Sequence, residues 1–157
     1  MTVNSLQEYR NTRTLIPVMR DQIGVPNLIS VFDLWDQLRD GRLAPSWSEI
    51  DMMAFPPSQI PKCVVVNCFT DPISFVYRFW GTKNTELFKQ ELTGKNVLDI
   101  EPLEVGEKLF EQYCVALKEK SPALFVNNVK SATGLTTVET ILRLPLSSDG
   151  LTLNQFL

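Results

Sequence analysis

The stretch Cys63-Val-Val-Val-Asn-Cys-Phe-Thr-Asp-Pro-Ile-Ser-Phe-Val-Tyr-Arg-Phe-Trp80 decides the fold. Cys63 to Phe69 is β-branched and apolar, Thr70-Asp71-Pro72 is turn chemistry, and Ile73 to Trp80 is again strand-like. The pattern predicts a β-hairpin. In its second strand Ile73, Phe75, Tyr77 and Phe79 fall on one face, expected to be buried, and Ser74, Val76, Arg78 and Trp80 on the other. Arg78 is therefore expected at the surface or rim, paired with a neighbouring side chain such as Glu139 or Asp99.

Upstream, Val31, Leu34, Trp35 and Leu38 recur at helical spacing, with Ser30 and Asp33 as a capping box and Gly41 as a C-terminal cap. Residues 1–29 are polar and weakly patterned. They read as an N-terminal arm lying on the domain or on a neighbouring subunit, and residues 30–157 as the domain proper. Pro45, Pro56, Pro57 and Pro61 exclude long helices and central strands from 44–62. Downstream, 82–90 reads as a short helix. A longer helix runs from Pro102 to about Lys120, with Val105, Leu109, Tyr113, Ala116 and Leu117 as its apolar stripe. Ala123 to Val129 and Thr137 to Leu146 follow as strands joined by Ser131-Ala132-Thr133-Gly134. Asp149-Gly150 leads into a last strand, Leu151 to Leu157. Short hairpin links imply an antiparallel sheet of five strands, and the helices in the middle of the chain should cover one face of it, an α+β domain.

Composition removes several function classes. The chain has 157 residues, 44% hydrophobic and 21% charged, with a net charge of −3. That is globular, and without a run of Lys or Arg it argues against nucleic acid as partner. There is no histidine, which eliminates Ser-His-Asp and Cys-His catalysis and His-ligated metal centres. No paired carboxylates and no Gly-rich phosphate loop replace them, so an enzyme is not expected. The three cysteines, Cys63, Cys68 and Cys114, read as buried thiols of a reducing cytosol rather than a metal site. No signal-peptide or membrane-spanning stretch is apparent, so a cytoplasmic location is expected.

The order of elements resembles that of a PAS domain, and the wording resembles one bacterial branch of that superfamily. The resemblance is carried by Leu34-Trp35-Asp36-Gln37-Leu38-Arg39-Asp40-Gly41, Leu43-Ala44-Pro45-Ser46, Glu49-Ile50-Asp51, Phe75-Val-Tyr77-Arg78-Phe79-Trp80-Gly81-Thr82, Leu92-Thr93-Gly94-Lys95, Leu144-Pro145-Leu146 and Asp149-Gly150. It implies a sensory or signalling module that holds a small organic ligand between sheet and helices. The alternative it implies is a ligand-free interaction module that dimerises through the N-terminal arm or the outer sheet face. No kinase, cyclase or DNA-binding domain is expected within this length, so a separate signalling partner protein is implied.

Tyr77, Phe79, Phe88, Phe110, Tyr113, Leu117, Phe125 and Leu142 are expected to line the space between sheet and helices. They form either a filled core or a cavity of ligand size. Resident cofactors are not expected. Haem-binding PAS domains typically use an axial histidine. Flavin photosensors of the LOV type place a reactive cysteine in an Asn-Cys-Arg-Phe-like helical segment, whereas Asn67-Cys68-Phe69 lies at a strand end and lacks the arginine. Cys114, on a helix, does not suit the strand-region cysteine of yellow photosensors.

Overall fold

The hairpin forms as β2 (Val64–Thr70) and β3 (Ile73–Trp80), with the register Thr70↔Ile73 to Val64↔Trp80. The structure is a computed structural model describing residues 6–131 and 133–157. Met1 to Ser5 of the expected arm, and Ala132 of the expected link, lie outside the described residues. The hairpin carries one irregularity: Val65 pairs with Phe79 but Val66 with Tyr77, which leaves Arg78 as an extra residue. Such a bulge turns the following side chains over. Phe75 and Tyr77 stay on the inner face, Phe79 moves to the outer face, and Trp80 takes its inner place. The expected burial of Phe79 on the inner face is thus corrected by one bulged residue.

With β1 (Leu6–Leu15), β4 (Ala123–Ser131), β5 (Thr136–Arg143), β6 (Pro145–Leu146) and β7 (Gln155–Phe156), the strands form two hydrogen-bonded sheets, β3-β2-β7-β6 and β1-β4-β5, rather than one sheet of five. β4 and β5 are an antiparallel pair, and β6 pairs with β7. β5 and β6 are one chain path interrupted at Leu144. There Leu144 and Leu157 exchange both backbone hydrogen bonds, at 3.0 and 2.9 Å, which joins the two sheets. Pro145 has no N–H to continue the ladder. The expected last strand shortens to two residues because Asp149 ties the segment into a turn: its Oδ1 accepts from the backbone N–H groups of Leu151 at 2.8 Å and Thr152 at 2.7 Å.

The segment read as an arm contains a strand of 10 residues and the start of α1 (Pro26–Arg39). β1 runs antiparallel on β4, from Tyr9↔Val129 to Leu15↔Leu124. Its polarity suits an edge: Glu8, Arg10 and Arg13 are exposed, whereas Tyr9 is buried.

α3 (Leu103–Glu119) packs on the inner face with Val105, Leu109, Tyr113 and Ala116, together with α2 (Thr82–Phe88) and the 3-10 turn Val97–Asp99. α1 (Pro26–Arg39) covers the opposite face. Its Val31 and Trp35 pack on Val65, Leu144 and Leu146, and Leu28 on Leu124. The arrangement is helices, sheet, helix. α1 begins earlier than its sequence pattern implies, because Pro26 opens the helix, as proline at a first helical position does. Ser30 is then interior, its hydroxyl donating to the Pro26 carbonyl at 3.2 Å, and Asp33 pairs with Arg20 at 2.7 Å instead of capping.

Candidate functional site

A cavity of about 500 Å³ opens where the sheet is incomplete. Among the described residues β7 meets β2 only at Val66 and Asn67, and β5 is paired on one side only, to β4. Among the described residues no strand lies between Val64 and residues 137–142 of β5, and the cavity is lined by both edges and by Leu157. On the inner side Tyr77, Trp80, Phe88, Leu109 and Tyr113 form its wall, and on the outer side Val25, Leu28 and Val31. Its volume falls within the range of small-molecule pockets, about 300–1,000 Å³.

Strand alternation places Glu139, Ile141 and Arg143 of β5 towards the inner face, and Phe125, Asn127 and Val129 of β4 likewise. The polar members of these two rows meet Gln112 of α3 and Tyr9 of β1 in one chain of hydrogen bonds. Arg143 Nη2 donates to Gln112 Oε1 at 3.3 Å. Gln112 Nε2 donates to Asn127 Oδ1 at 2.8 Å. Asn127 Nδ2 donates to the Tyr9 hydroxyl at 2.9 Å, and that hydroxyl donates to Glu139 Oε1 at 2.7 Å. Every bond points the same way, from a guanidinium to a carboxylate, so the two charged ends set the orientation of both amides between them. Four elements are fastened to one another by this chain.

The electrostatics at the two ends differ. Burial pushes the Glu139 carboxyl up from its usual range, while the Tyr9 hydroxyl and Arg143 pull it back. Burial likewise holds the Tyr9, Tyr77 and Tyr113 phenols above their ordinary value, Tyr9 also because Glu139 stands beside it, and Arg143 opposes all three shifts. Arg143 is 6% exposed, with its guanidinium 3.9 Å above the Tyr113 ring and 5.6 Å from that of Phe125. Its Nε is buried without a hydrogen-bond partner. None of the ion pairs among the described residues includes Arg143.

Of the residues expected from sequence, Tyr77, Phe88, Tyr113 and Leu142 line the cavity, and Phe125 lies in the core beside Arg143. Phe79 is turned away by the bulge. Phe110 packs edge-on against Phe75 at 5.5 Å, and Leu117 lies at the margin of the core, so neither reaches the cavity. Arg78 is exposed as expected, but Glu139 is engaged by Tyr9 rather than by Arg78. Arg143, Gln112, Asn127 and Tyr9 were missed. Their signal is a polar residue standing in a buried phase: Asn127 between Phe125 and Val129, and Gln112 beside Leu109 and Tyr113.

Burial raises all three cysteine thiols, Cys114 also through Glu111. Cys63 and Cys68 are pushed up to about 11 and about 12 by burial, and Cys68 sits within β2 rather than on a helix. All three are free thiols. Among the described residues no helix is long and apolar enough to cross a membrane.

No curated protein and no solved structure matches the chain. A family model described as a PAS domain matches residues 23–157, which takes in every element from α1 onward and leaves β1 outside. The helical belt, the antiparallel strands and the cavity between them agree with that match, and the chain belongs to the PAS domain family.

Proposed function

We propose that this PAS domain is a sensory or signalling unit that receives a small organic ligand in the cavity beside Tyr77, Phe88 and Tyr113. The observation that carries the reading is the cavity of about 500 Å³ with an under-satisfied buried arginine in its wall. A filled core would leave no such space. The work of the site is binding: its tyrosines and the Cys63 thiol are held neutral by burial, and the Glu139 carboxylate is already engaged by Tyr9. The signal would pass to a separate partner protein. The alternative, a ligand-free dimerisation module, would use the outer sheet face and the N-terminal segment. α1 already covers much of that face and β1 occupies the β4 edge, which favours the ligand reading.

Native mass spectrometry of protein purified from cells tests this. An added mass lost on denaturation, and a rise in melting temperature with that compound, are expected. A bare mass, together with no thermal shift across a panel of organic acids, amines and neutral metabolites, would overturn it.

A further inference from the structure

We infer that the ligand is a small organic carboxylate with an apolar body, and that Arg143 is its anchor; this rests on the reading of the cavity as a ligand site. The asymmetry between the two charged groups points to an anion. Glu139 has its partner, the Tyr9 hydroxyl at 2.7 Å. Arg143 does not: a guanidinium has five N–H donors, yet its bond to Gln112 is long at 3.3 Å and Nε reaches nothing. Taking such a charge out of water is costly unless a counter-charge and further hydrogen bonds meet it. Stacking on Tyr113 offsets part of that cost, and the Tyr113 hydroxyl is a neutral acceptor for the guanidinium, but neither supplies a counter-charge.

The planar fork of a guanidinium matches the two oxygens of a carboxylate, with charge-assisted bonds that neither ring face nor amide can replace. Among the described residues no carboxylate stands at ion-pair distance from Arg143, which leaves its fork open to one negative charge. The carboxylate of Glu139 on the same wall disfavours a dianion, so a phosphate fits less well. Apolar side chains, Leu28, Val31, Leu87, Phe88, Leu109 and Ile141, make up much of the remaining wall and suit an alkyl or aromatic body, while the exposed Lys62 and Lys83 in the same lining add positive charge that also favours an anion. A carboxylate here would also draw Arg143 from Gln112, and so act on the hydrogen-bond chain that runs through Tyr9 of β1 to Glu139.

Isothermal titration of the full chain with phenylacetate, 3-phenylpropanoate and octanoate, each beside its primary amide, tests the inference, with phenyl phosphate as a further probe. The carboxylates are expected to bind at least tenfold more tightly than the amides. Arg143→Gln should remove that preference, lowering carboxylate affinity at least tenfold while leaving the amides within about twofold. Arg143→Lys keeps the charge without the fork and should give an intermediate loss. Should Arg143→Gln fail to fold by circular dichroism, the acid-to-amide comparison on the unaltered chain still decides. Amides binding as tightly as acids would overturn the anchor and leave the cavity reading standing. Phenyl phosphate binding more tightly than phenylacetate would overturn the carboxylate assignment. Binding of none of these compounds would overturn the inference, whereas a co-purified uncharged ligand would show that the cavity reading survives it.

Discussion

Tyr9→Phe should destabilise the fold by about 2–3 kcal/mol although it removes a single oxygen. The ring remains packed in the inner core near Phe88, 6.3 Å between centroids, so little apolar contact is lost. Two hydrogen bonds go. The one to Glu139, at 2.7 Å, has a charged acceptor, for which about 1.5–3 kcal/mol is usual, and the one from Asn127, at 2.9 Å, leaves a buried N–H unmet at about 1–3 kcal/mol. Glu139 is half-buried and recovers part of its loss from water, which places the sum near the lower end of the two added together. For a domain of this size the melting temperature should fall by about 4–12 °C. Urea unfolding of Tyr9→Phe, Asn127→Leu and the double variant checks it. The two changes touch one bonded chain, so a coupling of about 1 kcal/mol or more is expected. A loss below about 0.5 kcal/mol, or strictly additive losses, would show that β1 is not fastened through Tyr9 and that the chain from Arg143 to Glu139 does not hold the four elements together.

Glu139 has a folded-state carboxyl raised above its unfolded value. The folded protein therefore holds that proton more tightly, and this group's contribution to stability falls as pH rises from about 4.3 through its raised folded value. Glu139→Gln should remove that slope, so its stability relative to the parent grows with pH across this window in urea titrations; an unchanged difference would refute the assignment. Gly81→Ala should cost about 3 kcal/mol or more, because a Cβ there would stand 2.2 Å from the Pro61 carbonyl oxygen, backbone that cannot step aside; thermal melts read it, and a loss under about 1 kcal/mol would contradict this packing. Cys63 and Cys68, un-ionised at pH 8 with values of about 11 and about 12, should react with iodoacetamide far more slowly in the folded protein than in urea; alkylation at equal rates would refute the burial of both thiols.

The hairpin, the long helix and the β4–β5 pair were legible because each declares itself locally: β-branched runs beside a Pro turn, or a 3.6-residue stripe such as Val105, Leu109, Tyr113 and Ala116. β1 was not. An edge strand buries one side chain in several, and Leu6-Gln-Glu-Tyr-Arg-Asn-Thr-Arg-Thr-Leu15 carries the polarity of a loop; only its backbone pairing with β4 makes it a strand. The facial assignment of Phe79 and Trp80 failed for a related reason. Strict alternation holds while the register holds, and the extra residue at Arg78 depends on how β2 lies against β3.

The site divides along the same line. Local pattern placed Tyr77, Phe88 and Tyr113 on the inner face, since each is an aromatic residue in the buried phase of its own element. Sequence by itself also determined the family and its α+β build, through the order of elements, and excluded histidine chemistry through composition. Only the tertiary structure decided that Arg143 and Glu139, four residues apart on one strand, have unequal partners. That difference rests on Tyr9 and Gln112, side chains 130 and 31 residues away from them along the chain. Whether a buried charge is met depends on the distance to groups brought together by packing, and no local pattern records that distance.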